Sequence, residues 1–187
     1  MDMERERKID ELLTRGVAEV IGGEKLRERL VRGDELCVKL GIDPTSPNLH
    51  IGRSVVLLKL RDFQELGCKV VLIVGDFTGQ IGDTSDKESE RPMLQADIIK
   101  ENMRTYTSQL GKIIDLTKAE IHSNSEWLEP LGFDDIGAEA EHFSVAEFIA
   151  RENIKKRLDE GKRVSLREML YPLMQGYDSV AVHADVE

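Results

Sequence analysis

LCVKLGIDPTSPNLHIG, residues 36–52, decides the fold of this chain. Its apolar opening from Leu36 to Ile42, broken only by Lys39, reads as a buried strand. Asp43-Pro44-Thr45 then interrupts regular structure, because the residue before a proline is driven out of the helical region. A short polar loop leads to His50-Ile51-Gly52, at the head of a long apolar helical pattern. A strand that feeds a loop opening onto a helix N-terminus is a phosphate-binding geometry. Unpaired amide N–H groups and the positive end of the helix dipole face whatever sits there. Gly52 lets a ligand approach the backbone, and His50 can donate to phosphate oxygens.

Outward from this stretch, Val55, Val56, Leu57, Leu58, Leu60, Phe63 and Leu66 make the helix at 51–66 nearly apolar all round. Such a helix is expected to pack on both sides, with Gly67 as its stop. KVVLIVG at 69–75 is short, continuous and β-branched, which fits an interior parallel strand. Strand, helix, strand makes a βαβ unit. The second strand runs into a Gly, Asp, Ser and Thr-rich loop, where open α/β sheets hold their ligands.

Before the motif, Ile9, Leu12, Leu13, Val17 and Val20 predict a helix over 4–20, stopped by Gly22-Gly23, and a second short helix follows at 24–31. After it, Ile98, Ile99, Met103, Tyr106 and Leu110 mark a helix over 94–110. Residues 119–122 are a candidate third strand, followed by a short helix carrying Trp127 that Ser123 or Ser125 would cap. Residues 133–141 are acidic and weakly patterned. Ser144 and Glu147 form a capping box for one or two helices at 143–158. Residues 166–182 read mostly as helix, with Pro172 in the first turn or at a kink.

The 187 residues are 40% hydrophobic and 33% charged, which suits one globular domain. A net charge of −10 argues against a general nucleic-acid-binding surface. Cys37 and Cys68 lack metal-ligand spacing and read as buried free thiols, so no metal site is expected. No apolar run is long enough to span a bilayer and no signal peptide is visible, so a cytoplasmic protein without membrane contact is expected. The chain divides into N-terminal helices at 1–33, a βαβ half at 34–122, and a helical insertion with a final pocket helix at 123–187.

Asp43-Pro44-Thr45 followed by Leu49-His50-Ile51-Gly52 resembles the His-Ile-Gly-His signature of class I aminoacyl-tRNA synthetases in its tyrosine-specific form. Val74–Asp83, Asn124-Ser125-Glu126-Trp127-Leu128 and Tyr171–Ser179 follow in the order of one bacterial branch of tyrosyl-tRNA synthetases. The resemblance implies an α/β Rossmann-like catalytic domain, of which this is the first half: a parallel sheet with flanking helices, incomplete at the C-terminus. It implies ATP, with Mg²⁺ accompanying it, as cosubstrate, tyrosine and tRNA(Tyr) as partners, and a homodimer. Thr45 and His50 match the positions that stabilise departing pyrophosphate. Gly41, Asp43 and Gly52 border the nucleotide. Asp83, Tyr171 and Gln175 match the receivers of the tyrosine ammonium group, and Asp178 matches the acceptor from the phenol. Tyr171, Gln175 and Asp178 lie four and three apart, so a helix puts them on one face.

Two positions depart from the family pattern. Arg53 stands where the second signature His belongs and is read as keeping a phosphate-side role. Lys39 stands where much of the family has a Tyr touching the phenol, and is expected at the pocket floor near Asp178. The family's Gly-Gly-Thr-Asp-Gln and Lys-Met-Ser-Lys-Ser segments do not occur in these residues. The chain is therefore expected to offer half a cleft, an unpaired edge at its first strand, and feeble tyrosine activation alone. A related nucleotidylyltransferase and a non-catalytic synthetase-like binding module are the competing readings.

Overall fold

A computed structural model describes residues 3–81 and 96–187. Its centre is a parallel sheet in the order β1 (Cys37–Ile42), β2 (Lys69–Val74), β3 (Ala119–Ser123). Cys37 is opposite Lys69, and Val70 is opposite Ala119. β2 is central and buried from Val70 to Val74, as its unbroken apolar run requires. β3 is an edge strand carrying the charged Glu120 and the polar His122, side chains that discourage further pairing.

One face of the sheet, with Val38, Val70 and Leu72, packs on Ile9 and Leu12 of α1 (Met3–Thr14), Leu30 of α2 (Gly23–Arg32), Leu57, Leu60 and Phe63 of α3 (Ile51–Glu65), and Tyr106 and Leu110 of α5 (Ala96–Leu110). The first helix is shorter than its apolar spacing predicts. Gly16 adopts φ 66, and the Lys59 ammonium donates to the carbonyls of Leu12 and Arg15 at 2.6 and 2.8 Å. That ends α1 before Val17 and Val20. α3 is also not packed on both sides: Ile51, Val55, Val56 and Leu58 are exposed, and its buried stripe is Leu57, Leu60 and Phe63.

On the opposite face lies α10 (Leu166–Ala181), with Pro172 inside it. Between β2 and α10 the chain forms α4 (Thr78–Ile81), α6 (Ser125–Leu128), α7 (Phe133–Ala140), α8 (Val145–Ile149) and α9 (Glu152–Asp159). α4 and α7 are helices that the sequence pattern does not announce. The Ser144–Glu147 capping box forms as expected, and a second one, Ser165–Glu168, starts α10. Neither Ser123 nor Ser125 caps α6. The Ser125 hydroxyl and amide instead donate to the Asp76 carboxylate at 2.7 and 2.9 Å, docking α6 onto the end of β2. The free edge of β1 is not wholly unpaired either: Val186 makes an isolated parallel bridge to Val38.

Candidate functional site at the carboxyl ends of the strands

Each strand ends by delivering a polar residue to the same rim. β1 delivers Asp43, β2 delivers Asp76 and Thr78, and β3 delivers Asn124. The ladder continues past the strands, with the Gly75 amide donating to Ile42 O at 2.9 Å and the Asn124 amide to Val74 O at 3.0 Å. These bonds fix the three loop starts against one another. Thr78 Oγ1 donates to Asp43 Oδ1 at 2.8 Å, and Asn124 Nδ2 donates to Thr78 Oγ1 at 3.1 Å and to Asp178 Oδ2 at 3.4 Å. Asn124 Oδ1 accepts from the Phe77 amide at 3.1 Å. Gly75 is required sterically: a Cβ there would fall inside van der Waals contact of both Asp43 Oδ1 and Thr78 Oγ1.

α10 reaches the rim with two side chains. Tyr171 OH donates to Asp43 Oδ2 at 3.0 Å. Asp178 is 4% exposed and accepts from Trp127 Nε1 at 2.8 Å as well as from Asn124. Burial pushes the Asp178 carboxyl above its ordinary range, against the opposing pull of Trp127, Asn124 and the Lys39 charge. Gln175 lies on the exposed side of the helix. Lys39 is 2% exposed, and its Nζ donates to the Gln175 carbonyl at 3.0 Å. The lysine is therefore under α10, where its charge acts on Asp178.

The loop after β1 is held from the other side by α5. Asn102 Nδ2 donates to Pro44 O and Tyr106 OH to Ser46 O, at 2.8 and 2.9 Å. Gln109 accepts from the Leu49 amide at 2.8 Å and donates to Pro47 O at 2.9 Å. The Thr45 amide closes the turn on Asp43 O at 2.9 Å, and Arg53 donates to the same carbonyl at 3.1 Å. His50 is the N-cap of α3, its Nδ1 accepting from the Gly52 amide at 3.0 Å. That bond places the proton of a neutral ring on Nε2, which leaves an outward donor. Gly41 is exposed, with open space where a Cβ would lie. Asp83 lies outside the described residues.

The sequence reading therefore found Asp43, Tyr171 and Asp178, which the structure brings together. It missed Thr78, Asn124 and Trp127 as the links between them. A buried Asn directly after a strand was the available signal, since an amide there needs partners on both its oxygen and its nitrogen.

Parallel strands whose loops gather polar groups at their carboxyl ends, with a helix opening just after the first strand, define an α/β fold of the doubly wound kind. The family model for class I tRNA synthetases (W and Y) matches residues 32–187, and the chain belongs to that family. It is 48% identical over 181 residues to the tyrosine–tRNA ligase of Carboxydothermus hydrogenoformans, covering 95% of this chain and 44% of that protein. Against the tyrosine–tRNA ligase of Oleidesulfovibrio alaskensis it is 45% identical over 187 residues, 46% of that protein. The chain thus spans about half the length of the curated relatives it matches. Among solved structures, a C-terminally truncated mitochondrial tyrosyl-tRNA synthetase of Coccidioides posadasii superposes with a TM-score of 0.77 at 22% identity, over 94% of this chain and 51% of that one. Archaeoglobus fulgidus tyrosyl-tRNA synthetase, complexed with L-tyrosine, gives 0.71 at 22% identity, over 96% and 53%. At these identities the two structures establish the fold.

Proposed function

We propose that this chain supplies the tyrosine pocket and the phosphate-side loop of a tyrosine–tRNA ligase. The reaction joins a tyrosine carboxylate oxygen to the α-phosphorus of ATP, breaks the bond to pyrophosphate, and then passes the tyrosyl group to the terminal ribose of tRNA(Tyr). One observation carries the reading. α10 is hydrogen-bonded through Tyr171 to Asp43, which follows β1, and through Asp178 to Asn124, which follows β3. α10 and the loop after β1 therefore meet at one rim, which supports reading them as the amino-acid face and the phosphate loop of one site.

In this reading Asp178 accepts the substrate phenol. A carboxylate offers about four acceptor positions, so the bonds from Trp127 and Asn124 orient it without filling it. Phenylalanine would leave that buried acceptor unsatisfied. Tyr171, Gln175 and Asp83 receive the ammonium group, and Lys39 lines the floor. Thr45, His50 and Arg53 face the phosphates, with Nε2 of His50 and the opening turn of α3 aimed at charge that grows on the leaving pyrophosphate. Gly41 and Gly52 leave room for the nucleotide beside Asp43. Mg²⁺ would accompany the ATP phosphates.

A homodimer is part of the proposal, supported by the exposed Phe133, Val145, Ile149 and Leu166 on α7, α8 and α10. Among the described residues, no helix is long and apolar enough to cross a membrane.

Calorimetric titration of the chain with L-tyrosine and L-phenylalanine tests the pocket. Binding of tyrosine alone, with discrimination lost in Asp178→Asn, is expected. Equal binding of both amino acids, or of neither, refutes it.

A further inference from the structure

The strand pairing at Val186 has a chemical consequence for the tyrosine site. Val38 and Val186 are parallel partners, and both pack into the core on one face of the sheet. Side chains alternate along strands, so the next pair, Lys39 and Glu187, points to the other face, beneath α10. There Lys39 Nζ lies 3.1 Å from Glu187 Oε1. The same carboxylate oxygen accepts from Gln175 Nε2 at 2.8 Å, and Oε2 lies 3.5 Å from Ser179 Oγ. One carboxylate beside β1 thus gathers donors from β1 and from two turns of α10.

This fixes which way the Gln175 amide faces. An ionised carboxylate accepts and never donates, so the amide nitrogen must turn toward Glu187. The amide oxygen is then the open end, and among the described residues it has no hydrogen-bond donor. An ammonium group is the reverse case: it donates and never accepts, so it can use the oxygen of Gln175 and not the nitrogen. We propose that Glu187, held by Lys39, is a positioning residue for the amino-acid site, locking the Gln175 carboxamide so that its oxygen meets the ammonium group of the substrate. The inference rests on the reading of the α10 face as the tyrosine pocket.

Glu187→Gln removes the lock with little change of shape, because a glutamine there can face Gln175 with either its oxygen or its nitrogen. Lys39→Met loosens Glu187 from below. Its effect on the lock should be smaller, since the Lys39 side chain is 1% exposed and that of Glu187 is 49% exposed, so water can solvate the carboxylate left behind. The two variants and the unaltered chain are titrated with L-tyrosine, with tyramine, and with 3-(4-hydroxyphenyl)propanoate, which lacks the ammonium group. Urea denaturation verifies that each variant is folded.

Glu187→Gln is expected to weaken L-tyrosine and tyramine about tenfold or more, the loss of one charge-assisted hydrogen bond. The propanoate should stay within about twofold. Lys39→Met also removes the charge acting on Asp178, so it should weaken all three ligands, with a further, smaller loss for the two amines that the propanoate does not share. An equal loss for all three ligands in Glu187→Gln, or no loss, overturns the role of Glu187 while leaving the pocket in place. Absence of tyrosine and tyramine binding by the unaltered chain overturns the pocket itself, and this role with it.

Discussion

Replacing Asn124 with alanine is expected to unlock the rim of the sheet without touching its apolar core. Asn124 is 1% exposed and its amide makes three contacts: it accepts from the Phe77 amide and donates to Thr78 and Asp178. Alanine leaves the Phe77 N–H without its acceptor, at a cost of about 1–2 kcal/mol for a half-buried donor. The 3.1 Å bond to Thr78 contributes about 1 kcal/mol, and the bond to Asp178, long at 3.4 Å, somewhat less. The sum is about 3 kcal/mol, which for a domain of this size lowers Tm by roughly 6–12 °C. Urea denaturation followed by circular dichroism at pH 7 measures it. Asn124→Asp is the companion variant. It keeps an acceptor for Phe77 but sets a second carboxylate against Asp178, so it should be less stable at pH 7 than at pH 5, where the pair can share a proton. An Asn124→Ala variant within about 0.5 kcal/mol of the unaltered chain would refute the view that this amide ties β1, β3 and α10 together.

The Arg157–Glu168 pair joins α9 to the first turn of α10, with both residues buried. Arg157→Met, which removes the countercharge of a buried carboxylate, should cost about 3 kcal/mol in urea unfolding. Arg157→Met with Glu168→Gln should recover at least half of the loss, and a double variant no better than the single one would show that the charge is not the cause. Asp185 accepts from the Cys37 amide at 2.9 Å and from Arg29 at 2.7 Å. These partners, the Cys37 amide first, hold its carboxyl below the ordinary range. A depressed folded-state value gives stability that is present above the unfolded value near 3.8 and is lost as pH falls through the depressed one. Asp185→Asn should therefore lower the urea midpoint at pH 7 and converge with the unaltered chain in acid. A constant difference across that range would contradict the assignment.

The local elements of this fold are legible in the residues themselves. Apolar runs placed β1 and β2, helical spacing placed α3, α5 and α10, and Ser144 with Glu147 marked the start of α8, because each signal is carried by neighbours within one or two turns. The end of α1 was not legible. Val17 and Val20 continue its apolar spacing, and it took Lys59, from a helix packed alongside, to cap the carbonyls of Leu12 and Arg15. Nor was the exposure of Val55 and Val56 on α3, since periodicity reports which side chains are apolar and not whether another element arrives to cover them.

The residue types at the rim were fixed by sequence alone: a turn aspartate after the first strand, a histidine opening a helix, and a tyrosine and an aspartate on one face of a late helix. Their assembly was decided by tertiary structure. Tyr171 reaches Asp43 across 128 residues, Asp178 takes its bonds from Asn124 and Trp127, and Lys39 finds its countercharge at Glu187, beside it only through a parallel strand register. Such bonds have no local periodicity to announce them. They form because buried polar groups must find partners, and the folded sheet determines which partners are within reach.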